Sequence, residues 1–198
     1  WKDMFNSRQQ LALVTFLGRI KAAYEDILQD CTRLTADVGA SPEDLADAVL
    51  AYLTILLTKQ ADYNSKLCAW ANHGEYVGHT FVRHTLPMNW DYFELNPIGN
   101  TGGDWLAQLD WVLRYINNND WSTPSVATAQ RSSATNLPHS DNSLDAVITD
   151  SPYYDNVPYS ALADFFYVWW KRAIGEHFPE LFSTPTVPKS NEVIMEPT

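Results

Sequence analysis

A carboxylate, a proline and a tyrosine follow the most strand-like stretch of this sequence. Residues 144–149 form a short apolar, β-branched run that is typical of a central strand. The run ends at Asp150, Ser151, Pro152 and Tyr153, where proline prevents regular continuation. Ligands of α/β proteins bind beyond the carboxyl ends of strands. The Asp150 carboxylate and the Tyr153 ring are therefore candidates for contact with a ligand. The same residues also suit an ordinary turn, in which Asp150 caps backbone N–H groups.

The longer run over residues 148–159, ITDSPYYDNVPY, resembles the Asp-Pro-Pro-Tyr signature of methyltransferases that modify exocyclic amino groups. Serine stands here at the position of the first proline. The extended run over residues 141–189 is similar to adenine-specific DNA methylases, whose full-length members also contain a zinc ribbon. Residues 81–97 look like a second, weaker block of that family.

The resemblance implies an S-adenosyl-L-methionine-dependent DNA adenine-N6 methyltransferase, with Asp150, Ser151, Pro152 and Tyr153 as catalytic residues. The Asp150 side chain and the Ser151 carbonyl would accept hydrogen bonds from the target amino group and free its lone pair. Alignment of the amine with the methyl donor and electrostatic stabilisation would then provide most of the rate acceleration. Tyr153 would stack on a base flipped from the duplex. Further substrate-binding residues would be Tyr154, Asn156 and Tyr159.

The sequence lacks the glycine-rich turn that holds the methyl donor in such enzymes. The glycine cluster at residues 99–103 does not follow a predicted strand, so it does not fit a phosphate loop. We expect the main S-adenosyl-L-methionine-binding loop to lie outside this chain, which does not begin with Met and resembles a carboxyl-side fragment. The alternative is a non-catalytic nucleic-acid or protein interaction module that retains a methyltransferase-like fold. Ser151 and the missing loop favour this alternative for the chain alone.

Helical signals dominate the first part of the chain. Ser7 and Gln10 predict a capping box, followed by an apolar stripe along one helix up to residue 27. Further helices are predicted after Ser41-Pro42, over residues 104–118 and over residues 160–173. The segment between the second and third helices, residues 70–103, is predicted to be a long structured loop, and a short strand is expected near residues 126–130.

These elements predict an α/β fold, an incomplete Rossmann-like methyltransferase sheet with a large helical insertion. Residues 1–120 would form the mainly helical insertion. Residues 121–198 would form the carboxyl-side part of the catalytic domain, which carries the signature.

Charge and composition limit the partners. The net charge is −11, whereas a duplex-binding surface is normally basic, so we expect DNA contact through the full-length protein. Two cysteines, Cys31 and Cys68, are interpreted as buried free thiols of a reducing compartment. No apolar stretch is long enough to span a bilayer, so a cytoplasmic, soluble protein is predicted. The sequence leaves the oligomeric state open.

Other candidate functional sites have weaker support in the sequence. Three histidines, at positions 73, 79 and 84, are spaced too loosely to predict a zinc site, and no metal is expected. Asp150, Asp155 and Asp164 contain a carboxylate pair of the kind used on glycosides, but nothing fixes their separation. The aromatic helix over residues 165–170 is interpreted as core rather than as a base platform. Neither cysteine suits the nucleophile of a cytosine-C5 enzyme.

Overall fold

The computed structural model describes residues 1–36, 39–82, 85–119, 127–153 and 156–191. Helices α1 and α2 cover Ser7–Ala22 and Tyr24–Thr35, and α3 covers Pro42–Tyr63. A two-stranded hairpin follows, with β1 at Trp70–Ala71 and β2 at Tyr76–Val77. Helix α4 covers Trp105–Asn118, and α5 covers Tyr159–Ile174. Short 3-10 turns lie at Lys2–Met4 and Lys189–Asn191.

Helix α3 is the centre of the fold, because it contacts α1, α2, α4 and α5. It begins where the sequence predicts: the Ser41 hydroxyl accepts a hydrogen bond from the Asp44 backbone N–H at 3.0 Å. Pro42 occupies the first turn, where its missing N–H has no intrahelical partner to lose. Leu50, Leu56 and Leu57 have almost no solvent exposure, so the predicted burial of this helix is confirmed.

The hydrophobic core joins the amino-terminal helices to α5. Phe165 of α5 is fully buried, with ring centroids 5.9 Å from Phe5 and 4.9 Å from Phe81. Trp169 also belongs to this cluster, with its ring 6.1 Å from that of Phe5. The aromatic helix therefore forms core, as the sequence analysis predicts.

The first helical region differs from the prediction in two details. The capping box is formed by Asn6 and Gln9, each side chain accepting the other residue's backbone N–H at 2.9 Å, rather than by Ser7 and Gln10. The predicted single helix is also divided at Ala23 into α1 and α2.

The fold class prediction is wrong. Residues 144–149 form no strand, and Val147 and Ile148 are 66% and 97% exposed. Within the described residues the sheet is a short antiparallel hairpin, pairing Trp70 with Val77 and Ala71 with Tyr76. An α/β fold with an incomplete Rossmann-like sheet is therefore not what the chain forms. A lone β-branched run has no neighbouring strand to pair its backbone groups, so its strand propensity is not realised.

The segment between α3 and α4 is long and mostly irregular, as predicted. The short strand expected near residues 126–130 is absent over 127–130, and Val126 lies outside the described residues. Both cysteines are buried free thiols, as expected. Among the described helices, none combines the length and apolar character needed to cross a membrane.

Candidate functional site

The signature residues Asp150, Ser151, Pro152 and Tyr153 lie in an exposed loop ahead of α5. All four side chains are exposed, and the Tyr153 ring keeps 60% of its surface accessible. The Asp150 carboxylate has no hydrogen bond or ion pair with another described residue. The loop therefore presents an acceptor and an aromatic ring to solvent.

The loop is held against the start of α5 at two points. The Tyr153 backbone N–H donates a hydrogen bond to the hydroxyl of Tyr159, the first residue of α5, at 3.1 Å. Val157 is 8% exposed, and its carbonyl accepts the Tyr159 backbone N–H at 2.9 Å. The structure thus brings Tyr153 and Tyr159 together, as a shared site requires.

The remaining predicted substrate-binding residues are not gathered into a pocket. Asn156 is exposed in a turn, and Tyr154 lies outside the described residues, as does Asp155. The neighbouring apolar side chains of Val147 and Ile148 are also exposed. An amino group bound here would meet Asp150 in open solvent, where water competes for the hydrogen bond. The loop becomes an efficient site only when another surface covers it.

The other candidate carboxylate, Asp164, has a structural role. One carboxylate oxygen accepts a hydrogen bond from the Lys189 ammonium at 2.7 Å, and the other accepts one from the Val187 backbone N–H at 2.9 Å. These contacts fasten the segment after α5 onto that helix. Both Asp164 oxygens therefore have structural partners, and Asp164 does not form an acid–base pair with Asp150.

The histidines make local contacts. The His79 ring nitrogens lie 2.8 Å from an Asp62 oxygen and 2.9 Å from the Tyr63 hydroxyl, and His73 lies 3.3 Å from the Tyr76 hydroxyl. His84 lies outside the described residues. In the part of the chain with assigned structure, no three His, Cys, Asp or Glu side chains are grouped to hold a metal ion.

A similar cluster at the other end of α3 was not visible in the sequence. The Tyr24 hydroxyl donates to Asp47 at 3.0 Å, and His177 lies 2.8 Å from the same oxygen. Burial, followed by the hydrogen bond to Asp47, raises the pKa of Tyr24 to about 12. The three residues come from different parts of the chain, so no sequence spacing connects them. They join α2, α3 and the segment after α5.

The glycine cluster at residues 99–103 does not fit the methyl donor. The glycine cluster leads into α4, but Asp104 already caps that helix by accepting the Ala107 backbone N–H at 2.8 Å. The other Asp104 oxygen is buried with no hydrogen-bond partner among the described residues. A carboxylate-bearing donor would meet the Asp104 oxygens where it needs free N–H groups.

Comparison with known proteins adds no relative: no family model, curated protein or solved structure matches this chain.

Proposed function

We propose that this chain supplies the target-base pocket of an S-adenosyl-L-methionine-dependent DNA adenine-N6 methyltransferase. The observation that carries the proposal is the run over residues 148–159, in which Asp150-Ser151-Pro152-Tyr153 is followed by Pro158-Tyr159 at the start of an aromatic helix. The exposure of Asp150 and Tyr153 supports it, because both side chains are free to meet a ligand.

The chemistry of the loop begins with the delocalised lone pair of an aromatic amine, which makes the amine a poor nucleophile. The Asp150 carboxylate and the Ser151 backbone carbonyl each accept one of its N–H groups and draw the nitrogen toward a tetrahedral shape. The lone pair is then available for attack. S-adenosyl-L-methionine, bound outside this chain, supplies an electrophilic methyl group.

The other side chains position the base. Tyr153 stacks on the flipped ring, and its backbone contact with Tyr159 fixes the loop relative to α5. Tyr154 and Asn156 are proposed to contact the same substrate. With a net charge of −11, the chain is poorly suited to neutralise phosphates, so the duplex is gripped by other parts of the full-length protein.

A second candidate is a non-catalytic interaction module. It is favoured by the exposed apolar side chains of Val147 and Ile148, which a protein partner would cover. Among the described residues, the glycine cluster before α4 does not fit a methyl donor, which points the same way. In this alternative, Asp150 and Tyr153 contact a partner and perform no chemistry.

The test compares Asp150→Asn with Asp145→Asn in the full-length protein. Asp145 is a matched control, because it is an exposed aspartate in the same irregular segment. With isotopically labelled S-adenosyl-L-methionine and adenine-containing DNA, Asp150→Asn should lower N6-methyladenine formation about 100- to 1000-fold. Asp145→Asn should retain the wild-type rate.

The outcomes separate the two functions. Equal rates for Asp150→Asn and wild type would show that the carboxylate takes no part in the chemistry. An inactive wild type, tested on DNA and RNA with correctly folded protein, would favour the interaction module.

A further inference from the structure

A groove lies between residues 131–135 and residues 181–190, and Tyr167 of α5 contributes to its lining. Its volume is about 1130 Å³, which exceeds the usual size of a small-ligand site. Tyr167, Phe182 and Pro188 form an apolar floor, and Arg131, Ser133 and Ser190 contribute polar groups to the walls. Residues 150–153 do not line it, so it is separate from the signature loop.

One arginine and no acidic residue line the groove, although the chain is acidic overall. Arg131 is exposed, and its guanidinium donates to the Leu181 carbonyl at 3.3 Å; it has no ion-pair partner among the described residues. Lys171 donates to the Thr184 carbonyl at 2.6 Å and likewise has no described carboxylate partner. The nearby Asp164 is neutralised by Lys189. Lys171 does not line the groove, so Arg131 is the cation there that favours an anionic group.

The floor and one wall are held in place before any ligand arrives. The Tyr167 hydroxyl donates to the Thr184 carbonyl at 2.9 Å, and the Tyr167 and Phe182 rings lie 5.3 Å apart. The ion pair between Asp164 and Lys189 fixes the other end of this wall to α5. A preformed wall reduces the ordering cost of binding.

We propose that this groove binds a phosphate ester attached to a planar ring, of the kind found in a nucleoside phosphate. The ring lies on Phe182 and Pro188, which are partly exposed, whereas Tyr167 is 9% exposed and supports the Phe182 ring. The phosphate accepts hydrogen bonds from the free N–H groups of Arg131, which suit phosphate geometry, and from the hydroxyls of Ser132 and Ser133. A free nucleotide and a strand of nucleic acid both provide this chemistry.

Calorimetric titration of the 198-residue chain with adenosine 5′-monophosphate and with adenosine tests the proposal. The nucleotide should bind at least tenfold more tightly than the nucleoside, because only the nucleotide has a phosphate for Arg131. Arg131→Gln should weaken nucleotide binding about tenfold. Arg19→Gln, an exposed arginine on α1, is the matched control and should bind as wild type.

Equal affinity for adenosine and its monophosphate, or wild-type binding by Arg131→Gln, would overturn the proposal. So would the absence of nucleotide binding by wild-type chain with an intact melting transition. Titration with an eight-nucleotide thymidine DNA identifies which molecule supplies the phosphate. If the DNA binds more tightly than adenosine 5′-monophosphate, the ligand is a nucleic-acid strand; if it binds more weakly, the ligand is a free nucleotide. Failure of this site is distinguishable from failure of methyl transfer, because the titration measures the contribution of the phosphate to binding, whereas the methylation assay measures N6-methyladenine.

Discussion

Tyr153 differs from the aromatic side chains of α5 in where its ring lies. It is 60% exposed, whereas Phe165 is fully buried. If Tyr153 stacks on a base, Tyr153→Phe should keep most activity, because the ring surface is unchanged. Tyr153→Ala should lose about 1–3 kcal/mol of base binding, the usual worth of one aromatic stack. Product assays and base-binding measurements on both variants check this.

Melting curves provide the control for Tyr153. Removing an exposed ring leaves no core cavity, so Tyr153→Ala should shift the thermal midpoint little. Phe165→Ala in the same assay should destabilise the fold by about 3–5 kcal/mol. A comparable loss in Tyr153→Ala would assign Tyr153 to the core and leave Asp150 as the remaining side chain with a chemical role.

At the scale of the element, the start of α3 depends on one hydroxyl. Ser41→Ala removes the acceptor for the Asp44 N–H and should lower the free energy of unfolding by about 1 kcal/mol. Urea denaturation measures the change, with Ser140→Ala as a control at an exposed position outside the helices. Equal stability of the two variants would mean that water replaces the cap without cost.

The contact between α2 and α3 predicts a loss of stability at alkaline pH. The pKa of Tyr24 rises from 10.0 to about 12 in the fold, so the native state binds this proton more tightly than the unfolded chain does. The resulting stabilisation is complete below pH 10 and is lost as the pH rises toward 12. In Tyr24→Phe, unfolding free energy should fall less steeply over this interval than in wild type.

Tyr153→Phe is the matched control for the alkaline experiment. The Tyr153 ring is exposed, and its hydroxyl makes no hydrogen bond to another described residue. Its substitution should leave the slope of stability between pH 10 and 12 as in wild type. Equal slopes for Tyr24→Phe and this control would contradict the proposed role of the Asp47 contact and of burial.

Helices were predictable here because their signals are local. Ser41-Pro42 and the aromatic run of α5 each specify an element within a few residues. The sequence predicts the capping box one residue after its position at Asn6 and Gln9, since Asn and Ser are equally good caps and both are followed by Gln three positions later. The division at Ala23 has no glycine or proline to signal it.

The strand prediction failed because strand formation depends on non-local pairing. The residues at 144–149 have strand-like side chains, but a strand is stable only when a neighbour pairs its backbone groups. The sequence around Val147 and Ile148 contains no information on whether such a neighbour exists. The signature residues were identifiable from the sequence, whereas their open setting and the groove at Arg131 depend on tertiary contacts.

At the scale of the whole molecule, the proposed function separates the acceptor site from the donor site. The described residues provide an exposed acceptor loop, while the glycine-rich approach to α4 is closed by Asp104. The Gly103 carbonyl also accepts the Gln60 side chain at 2.8 Å, which ties this approach to α3. Under the proposed function, methyl transfer by this chain uses a donor surface from outside it.

This separation predicts that the chain alone binds S-adenosyl-L-methionine weakly or not at all. The donor's carboxylate needs free backbone N–H groups, and at α4 one of these is already bonded to the Asp104 side chain. Calorimetric titration should therefore give no saturation in the micromolar range. Asp104→Asn should not create tight binding, because the amide oxygen still caps the helix. A micromolar dissociation constant for wild type would show that the donor site lies within these residues and would remove the need for an outside surface.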